Sequence, residues 1–192
     1  MTSIVIAEDE AIIRLDLREL LEEEGYVVIG EAGRGDQAVE LVRNLRPDLV
    51  ILDVKMPGLD GIEAARQITA EGICAVLMLT AFSQREIVEQ ARDAGAVAYL
   101  VKPFQKSDLV PAIELATARY AETKALVAEV DELTERLAVR KILDRAKGLL
   151  GDTYGLKEAD AFTFIQQTAM AGRLTMRVVA ESVLKGETVP TP

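Results

Sequence analysis

The chain reads as an α/β protein with a five-stranded parallel sheet, followed by a helical linker and a small three-helix all-α part. Three observations carry that reading. Over residues 1–120, short apolar runs alternate with helix-period stretches five times, and such alternation builds a parallel sheet through right-handed crossovers. The apolar runs, Leu49-Val50-Ile51-Leu52 above all, are nearly unbroken, as strands covered on both faces are. Beyond Ala118 the turn formers vanish, with no Gly or Pro between Pro111 and Gly148, and the fifth helix can run on unbroken.

Ser3 to Ala7 forms the first expected strand, ended by Glu8-Asp9-Glu10. Ile13, Leu17, Leu20 and Leu21 then mark one face of a helix that Gly25 stops. Residues 26–29 form the second strand, and Gly33 and Gly35 turn the chain. Ala38, Leu41, Val42 and Leu45 line the next helix, which Pro47 closes. The third strand runs into Asp53, and the turn Met56-Pro57-Gly58-Leu59-Asp60-Gly61 follows. Ile62, Ala65 and Ile68 lie on the third helix, residues 73–79 form the fourth strand, and Ile87, Val88 and Ala91 lie on a helix ended by Gly95. Residues 97–101 form the fifth strand, leading to Lys102-Pro103, and Leu109, Ile113 and Ala116 begin the fifth helix. Gly30, Gly33 and Gly35 do not have the spacing of a dinucleotide fingerprint and read as turn residues.

Composition narrows the chemistry. No apolar run approaches the roughly 20 residues of a membrane span, and Met1-Thr2-Ser3-Ile4 lacks the basic region of a signal peptide. A single cysteine, Cys74, excludes an internal disulfide and a multi-cysteine zinc site; it lies mid-strand and reads as inert core. These features point to the cytoplasm, with no membrane partner. Histidine is absent, which excludes Ser-His-Asp and Cys-His triads, histidine–zinc sites and imidazole general bases. Any metal must be a hard ion held by oxygen. Net charge is −10, all of it within residues 1–122, which hold 12 Lys+Arg against 22 Asp+Glu. From Arg140 onward there are 8 basic and 6 acidic residues, a balance that permits nucleic-acid binding without announcing it.

Strand carboxyl ends lie along one edge of a parallel sheet, where open α/β folds place their ligands. The first strand ends at Glu8-Asp9, the third at Asp53, the fourth at Thr80 and the fifth at Lys102. Carboxylates without histidine suit Mg²⁺, and a hydroxyl and an ammonium can bind phosphoryl oxygens. These are the parts needed for phosphoryl transfer to a carboxylate. The chain has no kinase signature, so a separate donor is implied.

The acidic pair Glu8-Asp9, Asp53 with its Met-Pro-Gly-Leu-Asp-Gly turn, Thr80-Ala81, and Tyr99-Leu100-Val101-Lys102-Pro103-Phe104 resemble the receiver domain of two-component response regulators, over residues 1–120. The resemblance implies a flavodoxin-like, doubly wound sheet of order 2-1-3-4-5. It implies that Asp53 is the phosphoacceptor, served by a sensor histidine kinase. Mg²⁺ would be held by Asp9, Asp53 and the backbone carbonyl of Lys55, with Glu8 acting through bound water. Thr80 and Lys102 would contact the phosphoryl oxygens, Tyr99 would rotate in response to Thr80, and the Lys102-Pro103 bond would be cis. Plainer readings stand beside these: Glu8-Asp9 capping the first helix, and Tyr99 as ordinary half-buried packing.

Residues 121–139 read as the linker. Leu126, Val130, Leu133 and Leu137 follow 4-3-4 spacing, about two heptads of seam. This suits either a homodimer or a helical spacer packed on its own domain. Residues 140–186 form three short helices, and 187–192 a disordered tail. Ile142, Leu143, Ala146, Leu149 and Leu150 make one apolar stripe; Ala161, Phe162, Ile165 and Ala169 make a second; Met176, Val179, Ala180 and Val183 make a third, with Thr175 as its cap. Phe162 and Phe164 read as core. Gly148 lies inside a helical pattern, where it costs roughly 1 kcal/mol against alanine, which suggests a close approach by another helix or a ligand. Arg140, Ile142, Ala146-Lys147-Gly148, Glu158-Ala159-Asp160-Ala161-Phe162, Ala169-Met170, Arg173 and Val179-Ala180 resemble the ANTAR domain of transcription antitermination regulators. That resemblance implies binding of stem-loops in nascent messenger RNA through Arg140, Lys147, Gly148, Arg173 and Thr175. Arg177 joins them from its place beside Thr175.

Together these readings describe a phosphorylation-controlled response regulator, not an enzyme, that binds structured mRNA leaders and antiterminates transcription. The alternative is a phospho-dependent adaptor whose helical module binds a protein and no RNA. A DNA-binding output lacks a helix-turn-helix with a basic recognition helix.

Overall fold

The computed structural model describes residues 1–81 and 85–190. Its elements alternate strictly through the first five strands: β1 (Ser3–Ala7), α1 (Ala11–Glu23), β2 (Val27–Ala32), α2 (Gly35–Leu45), β3 (Leu49–Asp53), α3 (Gly61–Ala70), β4 (Ala75–Thr80), α4 (Arg85–Asp93) and β5 (Ala98–Val101). Three helices follow: α5 (Lys106–Tyr154), α6 (Glu158–Gly172) and α7 (Met176–Leu184). The chain forms two compact units, Met1–Lys124 and Ala125–Pro192. The last two residues of the expected tail lie outside the described residues.

The sheet is parallel, in the order β2-β1-β3-β4-β5. Successive strand residues point to opposite faces, and each central strand divides its side chains between two cores. Val5, Ala7, Val50, Leu52, Val76 and Met78 pack with α2, α3 and α4 residues such as Val42, Ile68 and Ala91. Ile4, Ile6, Leu49, Ile51, Ala75, Leu77 and Leu79 pack with Leu17 and Leu21 of α1 and with Leu109 and Ile113 of α5. Full burial of each large aliphatic side chain stabilises by roughly 1.5–3 kcal/mol, so both faces are tightly specified. Cys74 is buried beside this sheet, and burial pushes its thiol up to about 12, which makes it inert.

Three strands differ from expectation at their limits, β5 only in starting at Ala98 rather than at residue 97. The second strand starts one residue later and runs three residues further, to Ala32, because it continues the pairing with β1 past a register shift at Ile4/Val5. The fourth begins at Ala75, since its ladder with β3 starts at Leu49. The close β3–α3 connection explains Gly61: a Cβ there would lie 1.8 Å from the Asp53 carbonyl oxygen. Only glycine lets α3 start this close behind Asp53, and Asp60 caps that start by accepting from the Glu63 amide at 2.8 Å.

The second unit has its own core of Ala146, Leu150, Ala161, Ile165, Ala169, Val179, Ala180 and Val183. Its first helix is the continuation of α5, which is unbroken from Lys106 to Tyr154. Leu126, Val130, Leu133 and Leu137 are 50–62% exposed along it. Thr175 caps α7, accepting from the Val178 amide. Of the two approaches expected at Gly148, the helix is not there, because a Cβ would meet nothing within 4 Å; the glycine lies open. Phe162 departs from expectation: it is 41% exposed, while Ala161, Ile165 and Ala169 are buried. Those three complete the inward stripe at i, i+4, i+8, and Phe162 falls beside it.

Candidate functional site

The sheet register delivers the acidic site. Ala7 pairs with Leu52, so Glu8 and Asp53 emerge as neighbours from adjacent strands. Thr80 pairs with Val101, so Lys102 leaves β5 beside the end of β4. The Lys102 Nζ lies 2.5 Å from Glu8 Oε2 and 2.6 Å from Asp53 Oδ1. Glu8 is fully buried and Asp53 nearly so. A buried charge must be paired, and here one ammonium serves two carboxylates. The second Asp53 oxygen accepts from the Lys55 amide at 2.9 Å, so that carboxylate is held at both oxygens. The Lys102–Pro103 peptide bond is cis.

The electrostatics are uneven. Burial pushes the Glu8 carboxyl above its ordinary range, and the hydrogen bond from Lys102 only partly opposes this. Burial also pulls on the Lys102 ammonium, but its bonds to Asp53 and Glu8 outweigh that and raise it. Both directions fit an anionic site short of cations.

Oxygens of Glu8, Asp9 and Asp53 lie within 4.8 Å of one another. Asp9 is exposed and opens onto a cleft of about 190 Å³ that Asp53, Lys55, Ala81 and Lys102 also line. An all-oxygen donor set with one accessible side suits a hard divalent cation that keeps water ligands, so these residues fit Mg²⁺. Glu8-Asp9 do not cap α1: its N-cap is Glu10, with no side-chain cap bond. Thr80 is 2% exposed at the β4 end, whereas Tyr99 is 51% exposed on the adjacent strand. Arg14, which sequence reading passed over, donates to the Glu8 main-chain oxygen at 2.5 Å and pairs with Glu31 at 3.5 Å. It fastens the acidic loop to α1 from the flank.

In the C-terminal unit the candidate residues divide into two groups. Arg140, Lys147 and Gly148 line one cleft of about 830 Å³, with Arg136 and Phe162. Lys147 is held there by Asp144 at 2.8 Å and Glu158 at 2.9 Å; the Asp144 and Glu158 hydrogen bonds raise its ammonium. Arg140 is extended and faces Asp144 only at 4.0 Å. Arg173, Thr175 and Arg177 sit instead at the α6–α7 turn. Arg177 pairs with Glu181 at 2.8 Å and with Glu135. Arg173 is exposed and ends α6 in the left-handed region, at φ 51° and ψ 38°, a conformation usually left to glycine or asparagine.

A parallel 2-1-3-4-5 sheet with carboxylates and a lysine at its carboxyl edge defines a signalling receiver, here followed by a helical output unit. Comparison with known proteins agrees. A model of the response regulator receiver domain matches residues 4–114, and a model of the ANTAR domain matches residues 131–184. The transcriptional regulatory protein PdtaR of Mycobacterium tuberculosis is 59% identical over 189 residues, 98% of this chain and 91% of that protein. The chemotaxis protein CheY of Thermotoga maritima is 37% identical over 111 residues, 57% of this chain and 92% of its own. Among solved structures, the signal receiver domain of a modulated diguanylate cyclase from Desulfovibrio desulfuricans G20 superposes with a TM-score of 0.60 at 30% identity, covering 64% of this chain and 98% of that one. The CheX-CheY-BeF3-Mg²⁺ complex from Borrelia burgdorferi does so at 0.56 and 25% identity, covering 58% and 86%. The chain belongs to the response regulators, with a receiver domain and an ANTAR output domain. Such proteins are two-component regulators acting in RNA-binding antitermination rather than enzymes. Among the described residues, no helix is long and apolar enough to cross a membrane.

The raised Glu8 carboxyl sets a pH dependence. Its folded state binds the proton more tightly than its unfolded state, so the group costs stability as pH rises from about 4.5 through the folded value. Glu8→Gln is expected to flatten the pH profile of the metal-free chain in urea unfolding, with its stability relative to wild type rising as pH increases above about 4.5. A relative stability that falls over that range would show instead that Lys102 needs both carboxylates.

Proposed function

We propose that Asp53 is the phosphoacceptor, and that phosphorylation there controls RNA binding by the C-terminal unit. The observation that supports the first part best is the Lys102 ammonium 2.6 Å from Asp53, beside an oxygen cluster suited to Mg²⁺. One Asp53 oxygen attacks the phosphorus of a phosphohistidine on a sensor histidine kinase; the P–N bond breaks and the imidazole keeps the bonding pair. Asp9, Asp53 and the Lys55 carbonyl would hold Mg²⁺, which supplies charge neutralisation for the transferring group. Glu8 is paired with Lys102 and would act on the ion through bound water. Thr80 and Lys102 then meet the phosphoryl oxygens, with Lys102 exchanging a carboxylate for a dianion. Tyr99, exposed at rest, turns toward Thr80. The complex of CheY named with BeF3 and Mg²⁺ gives this chemistry a parallel.

The output target is a set of RNA stem-loops in nascent mRNA leaders. The ANTAR match supports this, as does the exposure of Arg140 and Arg173. Arg140 and Arg173 meet phosphates, Gly148 admits the RNA backbone, and Lys147, Thr175 and Arg177 order the two contact regions while adding donors. The exposed leucine seam within 121–139 is covered by a second copy of the chain. The protein works in the cytoplasm, where its kinase and transcripts are.

Treatment with a small phosphodonor and Mg²⁺ is expected to label the wild-type chain at Asp53, and Asp53→Asn to abolish the label; labelling that survives the substitution refutes the acceptor. Arg173→Gly separates function from stability. Relief of a left-handed non-glycine residue should stabilise the chain by about 1 kcal/mol, while loss of a phosphate contact should weaken RNA binding and reduce its salt slope by about 1. Unchanged RNA affinity in Arg173→Gly would remove that residue from the interface.

A further inference from the structure

The cleft formed by α5 and α6 within the C-terminal unit has an internal division of charge. Lys147 points inward, only 17% exposed at its side chain, and Asp144 and Glu158 take up its charge at 2.8 and 2.9 Å. Arg136 and Arg140 stand at the rim, with side chains 71% and 81% exposed. Among the described residues Arg136 has only the surface partner Glu132, at 2.6 Å, a kind of pair that contributes little and is readily exchanged. Lys147 is outnumbered by Asp144 and Glu158, and Asp152 adds a further carboxylate to the lining, so the floor is acidic on balance and the cleft's free positive charge stands at its edge.

Between floor and edge lies Phe162. The buried stripe of α6 is complete without it, and 41% of the residue remains exposed. Leu143 adds aliphatic wall, and Gly148 leaves the space above the helix open, since even a Cβ would touch nothing within 4 Å. A volume of about 830 Å³ falls within the ~300–1,000 Å³ of small-molecule sites. A free anion would require Lys147 to be available, and it is already paired. A purely apolar ligand would leave the rim arginines without purpose. A nucleotide unit matches both parts: a neutral aromatic ring that stacks, joined to an anionic phosphodiester.

We propose that the Phe162 ring is a stacking platform for one unpaired base of an RNA loop, with the flanking phosphates met by Arg136 and Arg140. This rests on the RNA-binding reading above and adds a base subsite and two residues to it. Unpaired loop bases are the part of an RNA hairpin free to leave the helix and stack on an aromatic side chain.

The test uses the full chain treated with a small phosphodonor and Mg²⁺, and a pool of RNA hairpins with a randomised loop, compared in filter binding for wild type, Phe162→Leu and Phe162→Tyr. Circular dichroism checks the fold, which leucine, a strong helix former at a half-exposed site, should leave intact. Stacking contributes about 1–3 kcal/mol per base, so Phe162→Leu should bind the selected hairpins roughly 5- to 150-fold more weakly, and Phe162→Tyr as wild type does. Replacing the contacted loop base by an abasic site should cost the wild type a similar factor and the leucine variant almost nothing. Equal binding by wild type and Phe162→Leu overturns the stacking subsite while leaving RNA binding in place. Failure of the wild type to select any hairpin overturns the RNA-binding reading itself, and the subsite with it.

Discussion

One ammonium holds the receiver's acidic edge together. Lys102 lies between Glu8 and Asp53, and both carboxylates are almost wholly withdrawn from water. Without that cation two buried negative charges would face each other directly, a far costlier arrangement than any exposed pair. The sheet order exists, in this sense, to bring one lysine to two acids: β1 and β3 set the carboxylates side by side, and β4 separates β3 from β5 so that Lys102 must reach back across the edge. One ammonium against two carboxylates leaves the balance incomplete, and the raised Glu8 carboxyl accords with that. An incompletely neutralised oxygen site is one to which a divalent cation adds missing charge.

The C-terminal unit uses charge differently. From Arg140 onward it holds 8 basic against 6 acidic residues, and several of its cations are already paired, with Asp144, Glu158, Glu181 and Glu135. The unit therefore presents a few exposed arginines rather than a broad basic field. Both units share α5: its Leu109, Ile113 and Ala116 belong to a receiver core, and its Ala146 and Leu150 to the ANTAR core.

Much of the receiver was legible because its strands are buried on both faces, so apolar runs and the residues that end them mark both topology and site. The ends of β1, β3, β4 and β5 fall where the residues placed them, and glycines at α1 and α4 ends mark real stops with positive φ. Strand limits were less legible, since the extra length of β2 comes from pairing with β1 and not from its own residues. Arg14 was missed because its role is a bond to a main-chain oxygen, which no side-chain pattern reports. Phe162 was misplaced because an aromatic next to a buried stripe looks like part of it; its position one residue past Ala161, with Ile165 and Ala169 completing the stripe, was the available signal. Gly148 was read as approached by another helix or a ligand; no helix approaches it, and it lies open in a cleft. Lys147 was identified, but its pairing with Asp144 and with Glu158 across the α5–α6 turn depends on tertiary placement.

The account stands or falls on coupling between the two chemistries. The most direct measurement is the affinity of the full chain for a selected RNA hairpin in the presence and absence of beryllium fluoride with Mg²⁺, which together mimic a phosphorylated Asp53. The account predicts tighter binding with the mimic, and no effect of the mimic in Asp53→Asn. Equal affinity in the two conditions, with the mimic shown to occupy the site, would contradict it.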